Sequence, residues 1–194
     1  QKCRDGNVQF ALEQREGRPF DILTELAKFQ DLMIFGLQGV FDYGLITDDD
    51  EKPIDLLIRF IQAGVRPILA VNDEFRPINR VLIAYSGSME SARTVKQFIR
   101  MQLRPDAEAR VVTFAKDEAV AAARLSNVES YCQCYGISVE TKFIKGSPKG
   151  HIIEEAIEFN ADMIVMGNSA TRLLSRKIFG ETALDCLQHT DRPV

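Results

Sequence analysis

The sequence predicts an α/β protein whose core is a doubly wound parallel sheet, and two features carry this prediction. Short apolar runs at residues 31–35 and 162–166 begin at an aspartate and end against a glycine. Runs of this length and composition are typical of strands that are buried on both faces of a parallel sheet. Stretches with apolar residues at helical spacing separate the runs, and such alternation favours a sheet with helices on both faces.

The first half of the chain contains three predicted strands and two predicted helices. Pro53 stands at the first position of one helix, where proline lacks only an N–H that has no helical partner. An acidic run at residues 48–51 lies in the loop before it. In chain order the elements are strand 8–13, the helix that follows residues 17–19, strand 31–35, the helix that begins at Pro53, and strand 68–71.

The second half contains a longer series of the same kind. Residues 72–79 are polar, include Pro77, and are predicted to be a linker. The predicted elements that follow are strand 81–85, helix 89–103, strand 109–114, helix 117–135, strand 137–144, helix 149–159, strand 162–166, helix 179–189 and the start of a strand at residues 192–194. The predicted sheet therefore has five parallel strands.

The two halves repeat one another. Three short landmarks occur twice in the same order, namely residues 17–19 and 146–148, 31–36 and 162–167, and 66–68 and 192–194. Self-similarity at domain length indicates a duplicated unit. We therefore expect two tandem domains, with residues 1–71 forming an incomplete first copy, 72–79 a linker and 80–194 the second copy.

Composition and charge exclude some classes of function. The apolar fraction of 45% and the charged fraction of 27% are those of a soluble globular protein. A net charge of −4 argues against a nucleic-acid partner. No stretch approaches the ~18 consecutive apolar residues of a membrane span. We expect a cytoplasmic protein with no membrane span in this chain.

The cysteines and histidines give little support for a metal site or an active site. Cys132 and Cys134 form a C-x-C pair without a second ligand pair nearby, which favours reduced thiols over metal ligation. His151 and His189 lie on different predicted helices, and neither accompanies a nucleophile in a recognised motif. We expect no enzymatic activity, and no metal other than magnesium bound with a nucleotide.

A phosphate-binding arrangement is predicted at the carboxyl-terminal end of the sheet. Strand 162–166 is followed by Gly167, by a basic loop that includes Arg172, and by Gly180 at the mouth of the last helix. Backbone N–H groups and a helix N-terminus at such a turn bind anions. Arginine can place two donors on phosphate oxygens, although a solvated basic loop has the same composition.

These motifs resemble the universal stress protein family, whose nucleotide-binding members carry G-x2-G-x9-G-[ST] after the fourth strand. The residues that carry the resemblance are 81–88, 146–148, 161–167, Gly180 and 192–194. It implies an adenine-nucleotide alpha hydrolase-like fold in two copies, with ATP or AMP held by the second copy. The binding residues it implies are Ser86 and Gly87 under the base and ribose, with Gly167, Asn168, Ala170, Gly180, Glu181 and Thr182 around the phosphates. Arg172 of the basic loop is added to them for its own chemistry.

The chain departs from the family pattern at three of these positions. Ser86 replaces the nucleotide-binding acid, Ala170 replaces the second motif glycine, and Glu181 stands where the family has serine or threonine. A carboxylate about 4 Å from a phosphate costs up to about 4 kcal/mol at an effective dielectric of ~20. We therefore expect a stress-response module without turnover that is either nucleotide-binding or nucleotide-degenerate.

A second class of function stays open. The chain could be a protein-interaction scaffold, or the cytosolic regulatory tail of a transporter or sensor kinase that has lost ligand binding. The strand at residues 68–71 and the one that begins at Val194 are expected to pair within the chain, so that each closes the other's edge. The sequence does not decide whether the chain forms a homodimer or which other proteins it contacts.

Overall fold

The computed structural model describes residues 6–37, 53–65, 67–72, 74–167, 172–173, 176–177 and 180–194. Its helices are α1 (Pro19–Ala27), α2 (Pro53–Ala63), α3 (Met89–Met101), α4 (Glu118–Gln133), α5 (His151–Glu158) and α6 (Glu181–His189). Its strands are β1 (Met33–Gly36), β2 (Ile68–Val71), β3 (Arg80–Ala84), β4 (Glu108–Ala115), β5 (Val139–Lys145), β6 (Met163–Met166), β7 (Arg172–Leu173) and β8 (Arg176–Lys177).

A four-stranded parallel sheet forms the centre of the second half, with the strand order β5-β4-β3-β6. Val81 of β3 is level with Ala109 of β4 on one side and with Met163 of β6 on the other. The sheet thus grows in both directions from β3, which is the doubly wound arrangement. The predicted α/β class with a parallel sheet is confirmed, but the sheet has four strands in the described residues where five were predicted.

The core of this half has one layer on each face of the sheet. Val81 and Ile83 pack with Val95 of α3 and other residues of α3 and α4. Leu82, between them, points to the opposite face and packs with Ile152 of α5. All three consecutive residues of β3 are at most 1% exposed, so the strand is buried on both faces, as its unbroken apolar sequence predicts.

The first half has its own smaller sheet and core. Strands β1 and β2 form a parallel pair in which Met33 is level with Ile68. Phe60 of α2 is fully buried at the centre of the cluster beside this sheet. Its ring lies 5.2 Å from the ring of Phe20 and 5.0 Å from that of Phe35, so three aromatic side chains join α1, α2 and β1.

The two halves are joined by backbone hydrogen bonds near the end of the chain. The N–H of Ala70 donates to the carbonyl of Val194 at 2.8 Å, and the N–H of Val194 donates to the carbonyl of Ala70 at 3.0 Å. The carbonyl of Pro193 in turn accepts from Ile164 of β6 at 2.9 Å. Residues 193 and 194 therefore stand between β6 and β2, where the pairing of Val194 with residues 68–71 was expected.

Two local predictions differ from the structure. Residues 8–13 form no strand, and Val8, Phe10 and Leu12 are exposed. The corresponding residues of the second half lie at β5, and β5 pairs with β4. Among the described residues, no strand is placed to pair with residues 8–13. The basic loop after β6 contains a short antiparallel pair, in which Arg172 of β7 is level with Lys177 of β8.

One ion cluster is buried where α5 meets the sheet. Glu155 is 3% exposed, and it accepts a hydrogen bond from Arg110 of β4 at 2.7 Å and another from Lys142 of β5 at 2.8 Å. Lys142 also donates to Glu158 at 2.7 Å, and Arg110 stacks over the ring of Phe159. The cluster joins β4 and β5 to α5, and each of its carboxylates is paired with a cation.

Candidate functional site

The turn between β3 and α3 places two of the predicted site residues at the carboxyl-terminal edge of the sheet. The carbonyl of Tyr85 accepts from Thr113 of the neighbouring strand at 2.9 Å, which fixes the end of β3. Ser86 follows, and its Oγ lies 3.0 Å from that of Ser88 and 3.1 Å from that of Ser91. The turn therefore has a connected group of three hydroxyls, of which Ser86 is exposed to a ligand and Ser91 is buried.

Ser88 also determines where α3 begins. It is the N-cap residue, with an extended backbone, and its Oγ accepts from the N–H of Ser91 at 3.1 Å. The Oγ of Ser91 donates back to the carbonyl of Ser88 at 3.0 Å. These bonds hold the first turn of α3 in one position relative to the end of β3.

Gly87 takes a conformation that favours glycine, with φ of +78°. The side chain of Arg124 of α4 lies against its open face, because a Cβ at Gly87 would be 2.6 Å from the Nε of Arg124 and 2.8 Å from its Cδ. A side chain at residue 87 would thus displace the arginine. Arg124 is half-buried, and it belongs to the site although no motif included it.

Gly167, at the end of β6, touches the backbone of α3. A Cβ there would be 2.6 Å from the Cα of Ser91 and 2.7 Å from its backbone nitrogen, closer than carbon atoms pack without displacement. Because Ala84 and Met166 are level in neighbouring strands, Gly167 lies at the same sheet edge as Ser86. The structure therefore brings Ser86, Gly87 and Gly167 together.

The last three predicted residues begin α6. Gly180 is its N-cap residue, Glu181 is exposed in its first turn, and Thr182 is half-buried. The Oε2 of Glu181 is 3.1 Å from the Nζ of Lys149, which precedes α5. The carboxylate that replaces the family's hydroxyl is therefore paired with a cation that lies beyond the motif.

A second contact joins the starts of α5 and α6. The N–H of Gly150 donates to the Oδ2 of Asp185 at 3.1 Å. The Nδ1 of His189 is 3.2 Å from the other carboxylate oxygen of Asp185, so the histidine completes the contact one turn later. Asp185 thus joins α6 to the backbone that precedes α5 on this side of the site.

The remaining predicted residues are described in part or not at all. Asn168 and Ala170 lie outside the described residues, and Arg172 is described only as part of the backbone of β7. Sequence reasoning missed Arg124 and Lys149 because neither belongs to a motif. The sequence signals available were a glycine in the turn after β3 and an acid at a motif position, each of which called for a search for a neighbouring side chain.

Other features of the described residues lie apart from this edge. A cavity of about 480 Å³ is lined by residues of α3, β2 and β6, including Leu69, Val165 and Val194, and by none of the predicted site residues. The described part of the chain has no group of three or more histidine, cysteine or acidic residues placed to hold a metal ion. Within the same residues, no helix combines the length and apolar character needed to span a membrane.

Comparison with known proteins identifies the family of residues 116–194. The model of the universal stress protein family matches residues 116–194. A universal stress protein of Methanocaldococcus jannaschii is 30% identical over 70 residues, which are 36% of this chain and 41% of that protein. The resemblance is thus confirmed for a universal stress protein family domain at residues 116–194, although the match spans less than half of the relative.

Solved structures of universal stress proteins share the fold of this chain. A universal stress protein from Archaeoglobus fulgidus aligns with a TM-score of 0.68 and 17% identity, covering 100% of this chain and 70% of that one. A family protein from Arabidopsis thaliana, solved with AMP bound, aligns with a TM-score of 0.50 and 18% identity, covering 60% of this chain and 88% of that one. At 17% and 18% identity, the structural similarity is evidence of a shared fold.

Proposed function

We propose that this chain is a universal stress protein-like module of the cytoplasmic stress response that binds an adenine nucleotide without turning it over. The ligand lies at the carboxyl-terminal edge of the four-stranded sheet, against Ser86, Gly87 and Gly167 and the start of α6. The two halves are tandem copies of one unit, and the first copy is structural. The AMP bound by the structural neighbour from Arabidopsis thaliana supports this class of ligand.

The pairing of Glu181 with Lys149 carries the proposal. An unpaired carboxylate about 4 Å from a phosphate costs about 1 kcal/mol in bulk water and up to about 4 kcal/mol at an effective dielectric of ~20; because the side chain of Glu181 is 78% exposed, the cost lies near the lower value and weakens binding by about five- to tenfold. The Nζ of Lys149 at 3.1 Å offsets that repulsion and adds a donor beside the N-terminus of α6. The departure from the family motif at residue 181 therefore does not abolish the site.

The test is calorimetric titration of the protein with Mg-ATP and with AMP. We expect micromolar binding, about tenfold weaker in Lys149→Met because the repulsion by Glu181 returns, and restored in Lys149→Met combined with Glu181→Ser. Lys28→Met is the matched control, since Lys28 pairs with Glu25 on α1 in the other half. Absence of binding by the unaltered protein refutes the proposal.

The absence of turnover is tested on the same samples. The described site offers serine hydroxyls, glycine backbone and basic side chains, and His189 is engaged with Asp185 rather than with any of the serines. We expect bound ATP to be recovered intact after prolonged incubation with magnesium. Stoichiometric or catalytic release of phosphate, measured against a protein-free control, would assign the site to a hydrolase instead.

A protein-interaction function is the second candidate, favoured by apolar side chains on the first half. Leu12 is 92% exposed and Ile34 of β1 is 62% exposed, whereas Val165, the counterpart of Ile34 in the repeat, is 6% exposed beneath α3. The uncovered face of β1 at Ile34 is therefore the candidate contact with another protein. Sedimentation velocity of the unaltered protein and of Ile34→Lys tests self-association; equal sedimentation would exclude this face as a homodimer contact.

A further inference from the structure

We propose that Arg124 and the Ser86–Gly87 turn form a second anion-binding position in the nucleotide site. The ligand would then be an adenine nucleotide that carries a phosphate on a ribose hydroxyl in addition to its 5′ phosphate. The inference rests on the proposed function, because it assumes that a nucleotide occupies this edge. It assigns the ligand's second phosphate to an arginine outside the motif.

The first support is the contact between Arg124 and Gly87. The Nε, Cδ and Cγ of Arg124 lie 2.6, 2.8 and 3.1 Å from where a Cβ of residue 87 would stand. The guanidinium end of Arg124 therefore lies along the turn that follows β3. This turn is at the same edge of the sheet as Gly167, which follows β6. Only glycine at residue 87 leaves room for this placement.

The second support is that the donors of Arg124 are unused within the described part of the chain. Arg124 forms no hydrogen bond or ion pair with the residues described, although it is only half exposed. By contrast Arg110, also partly buried, is matched by two carboxylates. A partly buried guanidinium gains most from a partner that accepts two of its N–H groups, and a phosphate does so.

The third support is the change of charge at the turn itself. Ser86 stands where the resembling family has an acid, so the turn has no carboxylate at this position to repel an anion. The same position now offers a hydroxyl that can donate, beside the hydroxyl of Ser88 at 3.0 Å. A hydroxyl in place of a carboxylate, beside the guanidinium of Arg124, favours an anion at this turn.

Nearby acids do not compete for the arginine. Asp117, the N-cap residue of α4, accepts from the N–H of Val120 at 3.0 Å and is thereby committed to its own helix. Glu90, in the first turn of α3, is half-buried and forms no ion pair with the described residues. Neither acid is bonded to Arg124 in the described part of the chain, so the donors of the guanidinium are left for a ligand.

The test compares adenosine 3′,5′-bisphosphate and adenosine 2′,5′-bisphosphate with AMP by calorimetric titration. We expect at least one bisphosphate to bind about tenfold more tightly than AMP, since a charge-assisted arginine contact is worth at least that factor. Arg124→Gln should abolish this preference, because it should weaken bisphosphate binding about tenfold more than it weakens AMP binding. Arg93→Gln, an exposed arginine on α3, is the matched control and should keep the preference.

Two outcomes separate this inference from the proposed function. If AMP binds and neither bisphosphate binds more tightly, the second anion position is wrong while the nucleotide site stands. If no nucleotide binds to the unaltered protein, both are wrong. Equal weakening of AMP and bisphosphate in Arg124→Gln also overturns the inference, and urea denaturation of the variant shows whether a loss of folding caused it.

Discussion

Removal of the buried carboxylate of Glu155 should destabilise the protein strongly. Its side chain is 3% exposed and accepts from Arg110 at 2.7 Å and from Lys142 at 2.8 Å. Breaking a buried ion pair costs about 3–5 kcal/mol when the remaining charge is left alone. Here both cations keep a second carboxylate, at 3.0 Å for Glu140 and 2.7 Å for Glu158, so we expect about 3 kcal/mol for Glu155→Ala.

The assay is urea denaturation followed by circular dichroism, with the slope of the transition compared between variants. Glu154→Ala is the matched control, because Glu154 is the preceding residue of α5 and is exposed. It should change the free energy of unfolding by less than about 0.5 kcal/mol. A loss below about 1 kcal/mol for Glu155→Ala, with an unchanged slope, would refute the view that this cluster holds α5 on the sheet.

Two further predictions concern the cysteines and the edge of the site. Burial raises the pKa of Cys132 to about 11 and that of Cys186 to about 12. Because the unfolded thiols lose their protons first, near pH 8.5, stability is complete below that pH and falls above it, by about 2 kcal/mol per thiol at pH 10. The fall should be shallower after both cysteines are changed to alanine, as measured by denaturation at pH 7 and pH 10. Gly167→Ala should cost about 1–3 kcal/mol through overpacking against α3. The φ of Gly167 is not positive, so this cost would come from the contact with α3 alone, and an unaffected Gly167→Ala would show that α3 can move.

The parallel sheet could be predicted from the sequence because each of its strands carries the signal within itself. Met163 to Met166 are apolar without interruption, and such a run has few ways to be buried other than a strand covered on both sides. The helices were predicted within a few residues of their ends for the same reason. Ser88 and Asp117 cap α3 and α4 from positions directly before the apolar pattern begins.

The strand predicted at residues 8–13 shows where a local pattern is insufficient. Val8, Phe10 and Leu12 alternate as a strand should, but a strand exists only if a neighbour supplies its hydrogen bonds. In the second half Val139 finds that neighbour in Ala109 of β4. Sequence periodicity reports the side-chain pattern of a segment, whereas pairing depends on residues elsewhere in the fold.

The same distinction explains why the site could be predicted only in part. Gly87 and Gly167 could be predicted because glycine itself stands in the sequence at the position where the backbone requires it. The charge of the site could not be judged in this way, since Glu181 in the sequence is a repulsive residue and in the structure is paired with Lys149, which lies in a different loop. A motif departure is therefore weak support for loss of binding until its surroundings are known. Substituting Lys149 rather than Glu181 is the more informative experiment, because it removes the compensation and keeps the departure.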